Sequence, residues 1–113
     1  MHEMSLAKNI IDIIDETLVN EEYNSLKEVV IEIGELIAVV PSSLQFCYTA
    51  LTEQTPYEDS KLTINIIPVQ GRCKNCNLKF EIIDMCFICP ACQSGDLEIE
   101  QGRELNISYL EVD

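Results

Sequence analysis

Leu6, Ile10, Ile13, Ile14 and Leu18 recur at helical spacing near the start of the chain, with Thr17 on the same side and Asp12, Asp15 and Glu16 opposite. With Ser5 as N-cap, this pattern predicts an amphipathic helix over about residues 5–21, its apolar stripe turned to a core. From Leu26 to Ile37 the period changes. The β-branched run Val29-Val30-Ile31-Glu32-Ile33 predicts a strand, and Gly34 marks a bulge or a close approach of two backbones. Pro41 stops that strand, and Ser42 or Ser43 caps a second helix to about Gln54, with Leu44, Cys47, Tyr48 and Leu51 on one face.

Thr55-Pro56 ends the second helix, and Leu62-Thr63-Ile64-Asn65-Ile66-Ile67 alternates as another strand, closed by Pro68 and Gly71. Strand, helix, strand in this order predicts a right-handed crossover between parallel strands. Near the C-terminus, Leu105, Ile107 and Tyr109 alternate with Asn106 and Ser108 and supply a third strand. The expected class is therefore α+β, two helices on a small mixed three-stranded sheet, formed by residues 1–70 plus 103–113. Residues 71–102 form an inserted zinc-ribbon-like domain, because five of the six cysteines fall between Cys73 and Cys92.

Cys73-Lys74-Asn75-Cys76 and Cys89-Pro90-Ala91-Cys92 are two short knuckles, each able to offer two sulfurs to one ion. Four thiolates at tetrahedral corners suit a structural zinc ion and leave no open coordination position for catalysis. Cys86-Phe87-Ile88-Cys89 repeats the C-x-x-C spacing, but Phe87 and Ile88 read as packing residues and Pro90 favours the knuckle that begins at Cys89. Cys47 and Cys86 are expected to be small buried hydrophobes. Few apolar residues lie within 73–92, so metal binding is expected to supply the folding energy of this unit.

The formal charge of −13 disfavours nucleic acid as a partner, and no apolar run reaches the length that spans a bilayer. No leader pattern precedes the first helix, so a cytoplasmic protein with reduced cysteines is expected, whether monomer or weak homodimer. Among other readings, a rubredoxin-like iron carrier would have a dense aromatic core, and aromatics here are 6% with no tryptophan. A zinc-ribbon module for nucleic acid meets the charge objection, and a thiol oxidoreductase remains open on the C-x-x-C pairs alone. No phosphate-binding glycine loop or nucleophile with a second histidine points to an enzyme.

His2 is the single histidine. A terminal amine, the next backbone amide and an imidazole one residue on can form fused chelate rings, whose planar nitrogen set favours nickel(II) or copper(II) over zinc. On the residues alone, a terminal histidine is more often a bystander.

Taken together, Met1-His2-Glu3-Met4-Ser5-Leu6, Ile31-Glu32-Ile33-Gly34-Glu35-Leu36, the helix from Phe46 to Leu51 and the two knuckles resemble the hydrogenase-maturation nickel chaperones of the HypA/HybF family over nearly the whole chain. The resemblance implies nickel ligation by the terminal amine, histidine and nearby backbone nitrogens, which fall on Met1, His2 and Glu3, and zinc ligation by Cys73, Cys76, Cys89 and Cys92. It further implies that nickel(II) is transient cargo and zinc structural. A nickel-handling GTPase accessory protein and the large-subunit precursor of [NiFe]-hydrogenase would be the partners, and in some organisms urease is also supplied. Asn77 and Gln93 depart from the glycine that often follows such knuckles, and Cys86 adds a fifth thiol.

Overall fold

The structure is a computed structural model and describes residues 2–113. The described residues form two α-helices and six strands, which cluster into two compact units. The first comprises Met1–Glu32, Val39–Asn65 and Asn106–Asp113, and the second Ile33–Ala38 and Ile66–Leu105. Among the described residues no helix is long and apolar enough to cross a membrane.

In the first unit, helix α1 (Glu3–Leu18) buries Leu6, Ala7, Ile10, Ile14 and Leu18. It starts two residues before the predicted N-cap. The cap residue is His2, in extended conformation, whose carbonyl accepts the first helical bond from the Leu6 amide at 3.0 Å. Ser5 is therefore inside the first turn. The buried stripe also differs, because Ala7 joins it while Ile13 and Thr17 face outward, the Thr17 hydroxyl donating back to the Ile13 carbonyl at 2.7 Å.

Helix α2 (Pro41–Thr52) carries Pro41 as its first residue, after Val40 as cap. The proline that was expected only to end a strand thus opens a helix, which is consistent with its fixed φ and missing N–H. Leu44, Tyr48 and Thr52 form the buried face, and the Thr52 hydroxyl donates to the Tyr48 carbonyl at 2.8 Å. Tyr57, in the following turn, donates its hydroxyl to Asp15 of α1 at 2.5 Å, and burial together with that carboxylate pushes the phenol well above its ordinary range.

Strand β1 (Leu26–Gly34) lies at the centre of a mixed sheet, between β2 (Lys61–Ile67) and β6 (Leu105–Val112). Val29, Ile31 and Ile33 of β1 are buried at 0–1% exposure, which makes this strand the floor of the core. The Asp113 amide bonds to the Ser25 carbonyl at 2.8 Å and the Gly34 amide to the Glu104 carbonyl at 2.7 Å, so the end of β6 meets the start of β1 and its start meets the end of β1, and the two run antiparallel. Of the alternating residues Leu105, Ile107 and Tyr109 on this edge strand, Ile107 is half-buried, while Leu105 and Tyr109 remain 40% and 56% exposed.

β1 does not reach Ile37. After Gly34 the chain turns through a short 3₁₀ helix, Glu35–Ile37, closed by Ala38 in the left-handed region at φ 57°. The cause is within the second unit: the Gly34 amide bonds to the Glu104 carbonyl at 2.7 Å and the Leu36 amide to the Gly102 carbonyl at 2.9 Å. The expected close backbone approach is realised here, since a Cβ on Gly34 would lie 2.0 Å from the Gly102 carbonyl oxygen.

The second unit has its own antiparallel sheet, β4-β3-β5, formed by β3 (Val69–Cys73), β4 (Lys79–Ile82) and β5 (Leu97–Gln101). Arg72 pairs with Lys79 on one side and Glu98 on the other, and a register irregularity falls between Gln70 and Gly71. Val69 and Ile82 are buried beneath it at 0% and 2% exposure. The unit therefore contains regular structure that the cysteine pattern alone did not predict.

Gly34→Ala is expected to lower the unfolding free energy by about 2–3 kcal/mol, the scale of forced overpacking. Urea denaturation of the metal-loaded protein measures this, and unchanged stability would contradict the backbone contact.

Candidate metal centre

Cys73 ends β3, and the chain reverses at once into β4. The Cys73 amide donates to the Leu78 carbonyl at 2.9 Å and the Asn77 amide to the Cys73 carbonyl at 2.8 Å, with Asn77 left-handed at φ 65°. The second knuckle repeats this arrangement. The Cys89 amide donates to Ser94 at 2.9 Å, the Gln93 amide to Cys89 at 2.8 Å, and Gln93 has φ 63°. Both residues where glycine is common therefore take the conformation the turn demands, which a short asparagine adopts more readily than glutamine.

These two turns bring Cys73, Cys76, Cys89 and Cys92 together, with all four sulfurs within 4.8 Å of one another. Cys73 Sγ lies 3.5 Å from Cys92 Sγ, and Cys76 Sγ lies 3.6 Å from Cys89 Sγ. A tetrahedral ion with metal–sulfur bonds of about 2.3 Å needs sulfurs about 3.8 Å apart, so the donor set fits such an ion with minor adjustment. Cys73 and Cys89 are buried while Cys76 and Cys92 are exposed, so the cluster has an inner and an outer pair.

Cys76, Cys89 and Cys92 differ in how readily their thiols ionise. The Asn75 side-chain amide, followed by the Ser94 backbone amide, lowers the Cys92 thiol to about 6. Cys89 is lowered as well, first by the Cys92 backbone amide. For Cys76 the Leu78 amide pulls downward, but the neighbouring thiols, Cys89 foremost, outweigh it and push the group up to about 12. A bound cation removes this competition by letting every thiol ionise.

Cys86 is outside the cluster and exposed, not buried as its composition suggested. It follows a tight turn in which Asp84 and Met85 have φ of 54° and 58°, closed by the Cys86 amide on the Ile83 carbonyl at 3.1 Å. That turn carries the intervening side chains outward, with Phe87 38% and Ile88 52% exposed, so neither packs as expected. Cys47 is half-buried on α2. The unit also contains an ion-pair cluster that the sequence did not signal, in which Arg72 contacts Glu98, approaches Glu100 at 3.8 Å and donates to Asn77 Oδ1 at 3.0 Å.

At the other candidate site, His2 is exposed and Glu3, the first helical residue, is half-buried. Met1 lies outside the described residues. The amides of the first helical turn, Glu3 among them, have no carbonyl partner within the helix.

A family model described as "Hydrogenase/urease nickel incorporation, metallochaperone, hypA" matches residues 1–112. The hydrogenase maturation factor HypA of Desulfitobacterium hafniense strain DCB-2 is 36% identical, covering 100% of this chain and 99% of that protein. Its counterpart from Desulfosudis oleivorans is 39% identical over 99% of this chain and 98% of that one. Among solved structures, the Ni metallochaperone HypA from Helicobacter pylori superposes with a TM-score of 0.69 at 27% identity, covering 99% and 97% of the two chains. These similarities indicate a family of metal carriers rather than enzymes, and the chain belongs to the HypA family of hydrogenase and urease nickel-incorporation metallochaperones.

Proposed function

We propose that the chain carries nickel(II) at its N-terminus, held by the Met1 amine, the His2 imidazole and backbone nitrogens up to Glu3. The observation that carries this reading is the helix start: His2 is the exposed cap residue, and the Glu3 amide belongs to the turn whose N–H groups the helix leaves free. A planar nitrogen set suits nickel(II), and a terminal position keeps exchange fast. Because amine and imidazole bind in their deprotonated forms, acid favours release of the cargo.

In the same reading, Cys73, Cys76, Cys89 and Cys92 hold a structural zinc ion. The all-sulfur donor set and its spacing support zinc over nickel there. Residues 71–102 then act as the zinc domain, and 1–70 with 103–113 as the nickel domain. We assign delivery, with a GTPase accessory protein, to the large-subunit precursor of [NiFe]-hydrogenase, in the cytoplasm. Support comes from the family's hydrogenase and urease description and from an acidic chain suited to attracting divalent cations.

Titrating nickel(II) into untagged protein tests the cargo site. His2→Ala should weaken binding by about tenfold or more, the scale on which even outer-shell partners of a metal act. Equal affinity in the two proteins would remove the assignment. An N-terminal extension, which blocks the amine, should have the same effect while leaving zinc in place.

Cys89→Ser should reduce zinc from one ion per chain to none and unfold the second unit, since metal binding supplies its folding energy. Elemental analysis with amide exchange over β3–β5 reads both. Full exchange protection in the metal-free variant would show that the sheet stands without the ion.

A further inference from the structure

Any ligand that removes a metal from four cysteines has to take a corner of the tetrahedron, and the buried Cys73 and Cys89 are closed to it. Two corners are open, Cys76 and Cys92. They are not equivalent. Asn75 Nδ2 donates to Cys92 Sγ at 3.5 Å, and among the described residues no other side chain from outside the cluster donates to one of its sulfurs.

The geometry of this bond also crosses the site. Asn75 belongs to the first knuckle and Cys92 to the second, whereas the amide bonds at Cys73, Asn77, Cys89 and Gln93 close each knuckle on itself. Besides Asn75, the Lys74 amide reaches across to the Asp96 carbonyl at 2.9 Å, with the Lys74 and Asp96 side chains 3.9 Å apart. The loop bearing Asn75 is fixed from below, because Arg72 donates to Asn77 at 3.0 Å and pairs with Glu98 of β5.

We propose that Asn75 is a positioning residue of the metal centre: its amide ties the second knuckle to the first and screens the Cys92 sulfur, leaving Cys76 as the corner where exchange begins. This rests on the reading that the four cysteines hold a divalent metal. Four thiolates around such an ion leave a net charge of −4 + 2 = −2, and an N–H donor draws part of that charge from the sulfur it touches. The sulfur so held is a poorer nucleophile and stays in place when a competing ligand arrives. Cys76 and Cys92 each have a backbone amide nearby, that of Leu78 and that of Ser94, but among the described residues only Cys92 has a side-chain donor as well.

The test uses the full chain loaded with zinc(II) or cobalt(II), as wild type, Asn75→Ala and Asn75→Gln. In the wild type, limiting iodoacetamide should alkylate Cys76 well before Cys92, as read by peptide mass spectrometry. Asn75→Ala should bring Cys92 to the rate of Cys76, speed zinc transfer to a chromogenic chelator by about tenfold, and move the cobalt–thiolate charge-transfer band to lower energy. Asn75→Gln, with its amide on a longer arm, should recover part of each change. Ligand-field bands report whether the tetrahedral site is retained in each variant. If the cobalt-loaded wild type has no thiolate charge-transfer band, the metal reading fails and this inference with it. If the band is present but alkylation order and release rate are the same in Asn75→Ala, the inference alone is overturned.

Discussion

Four sulfurs held within 4.8 Å of one another are the constraint around which the second unit is organised. Such a cluster is electrostatically unfavourable once its thiols ionise and becomes favourable only around a cation. The thiols are accordingly unequal, Cys92 being lowered first by the Asn75 amide and Cys76 raised by its neighbouring thiols against the pull of the Leu78 amide. The sheet β4-β3-β5 gives the first knuckle a rigid base, and the paired left-handed residues Asn77 and Gln93 turn the backbone so that both cysteines of each knuckle point inward.

The proposed nickel site follows the opposite logic. It relies on no packed core, and its donors are those that a helix start leaves unengaged, with His2 as an exposed cap. The two arrangements suit different tasks: a closed thiolate site releases an ion slowly, whereas a nitrogen site at a chain end can form and dissolve without disturbing the fold.

Much of this was legible in the sequence because the responsible forces are local. Helical periodicity located α1, the β-branched run located β1, the C-x-x-C pairs identified the four clustered cysteines, and Gly34 correctly marked two backbones in contact. What escaped notice depends on partners distant in sequence. β3, β4 and β5 are only four or five residues long, and β3 contains Gly71, so alternation had no room to declare itself. Cys86 was misread because apolar neighbours usually signal a core, while here the left-handed Asp84-Met85 turn directs the segment outward. The helix start at Glu3 was obscured because Ser5 is a better cap by type than His2, yet the backbone begins its turn earlier.

The passage of Gly34 beside Gly102 carries a consequence for how the chain can vary. Elsewhere a tight contact is made by side chains, and a larger residue on one side can be balanced by a smaller one opposite. Here peptide meets peptide, with Val69 closing the space around Gly102, so no compensating pair of substitutions exists. The spacing at that crossing is set by main-chain dimensions alone, and it stays constant however far the surrounding residues drift.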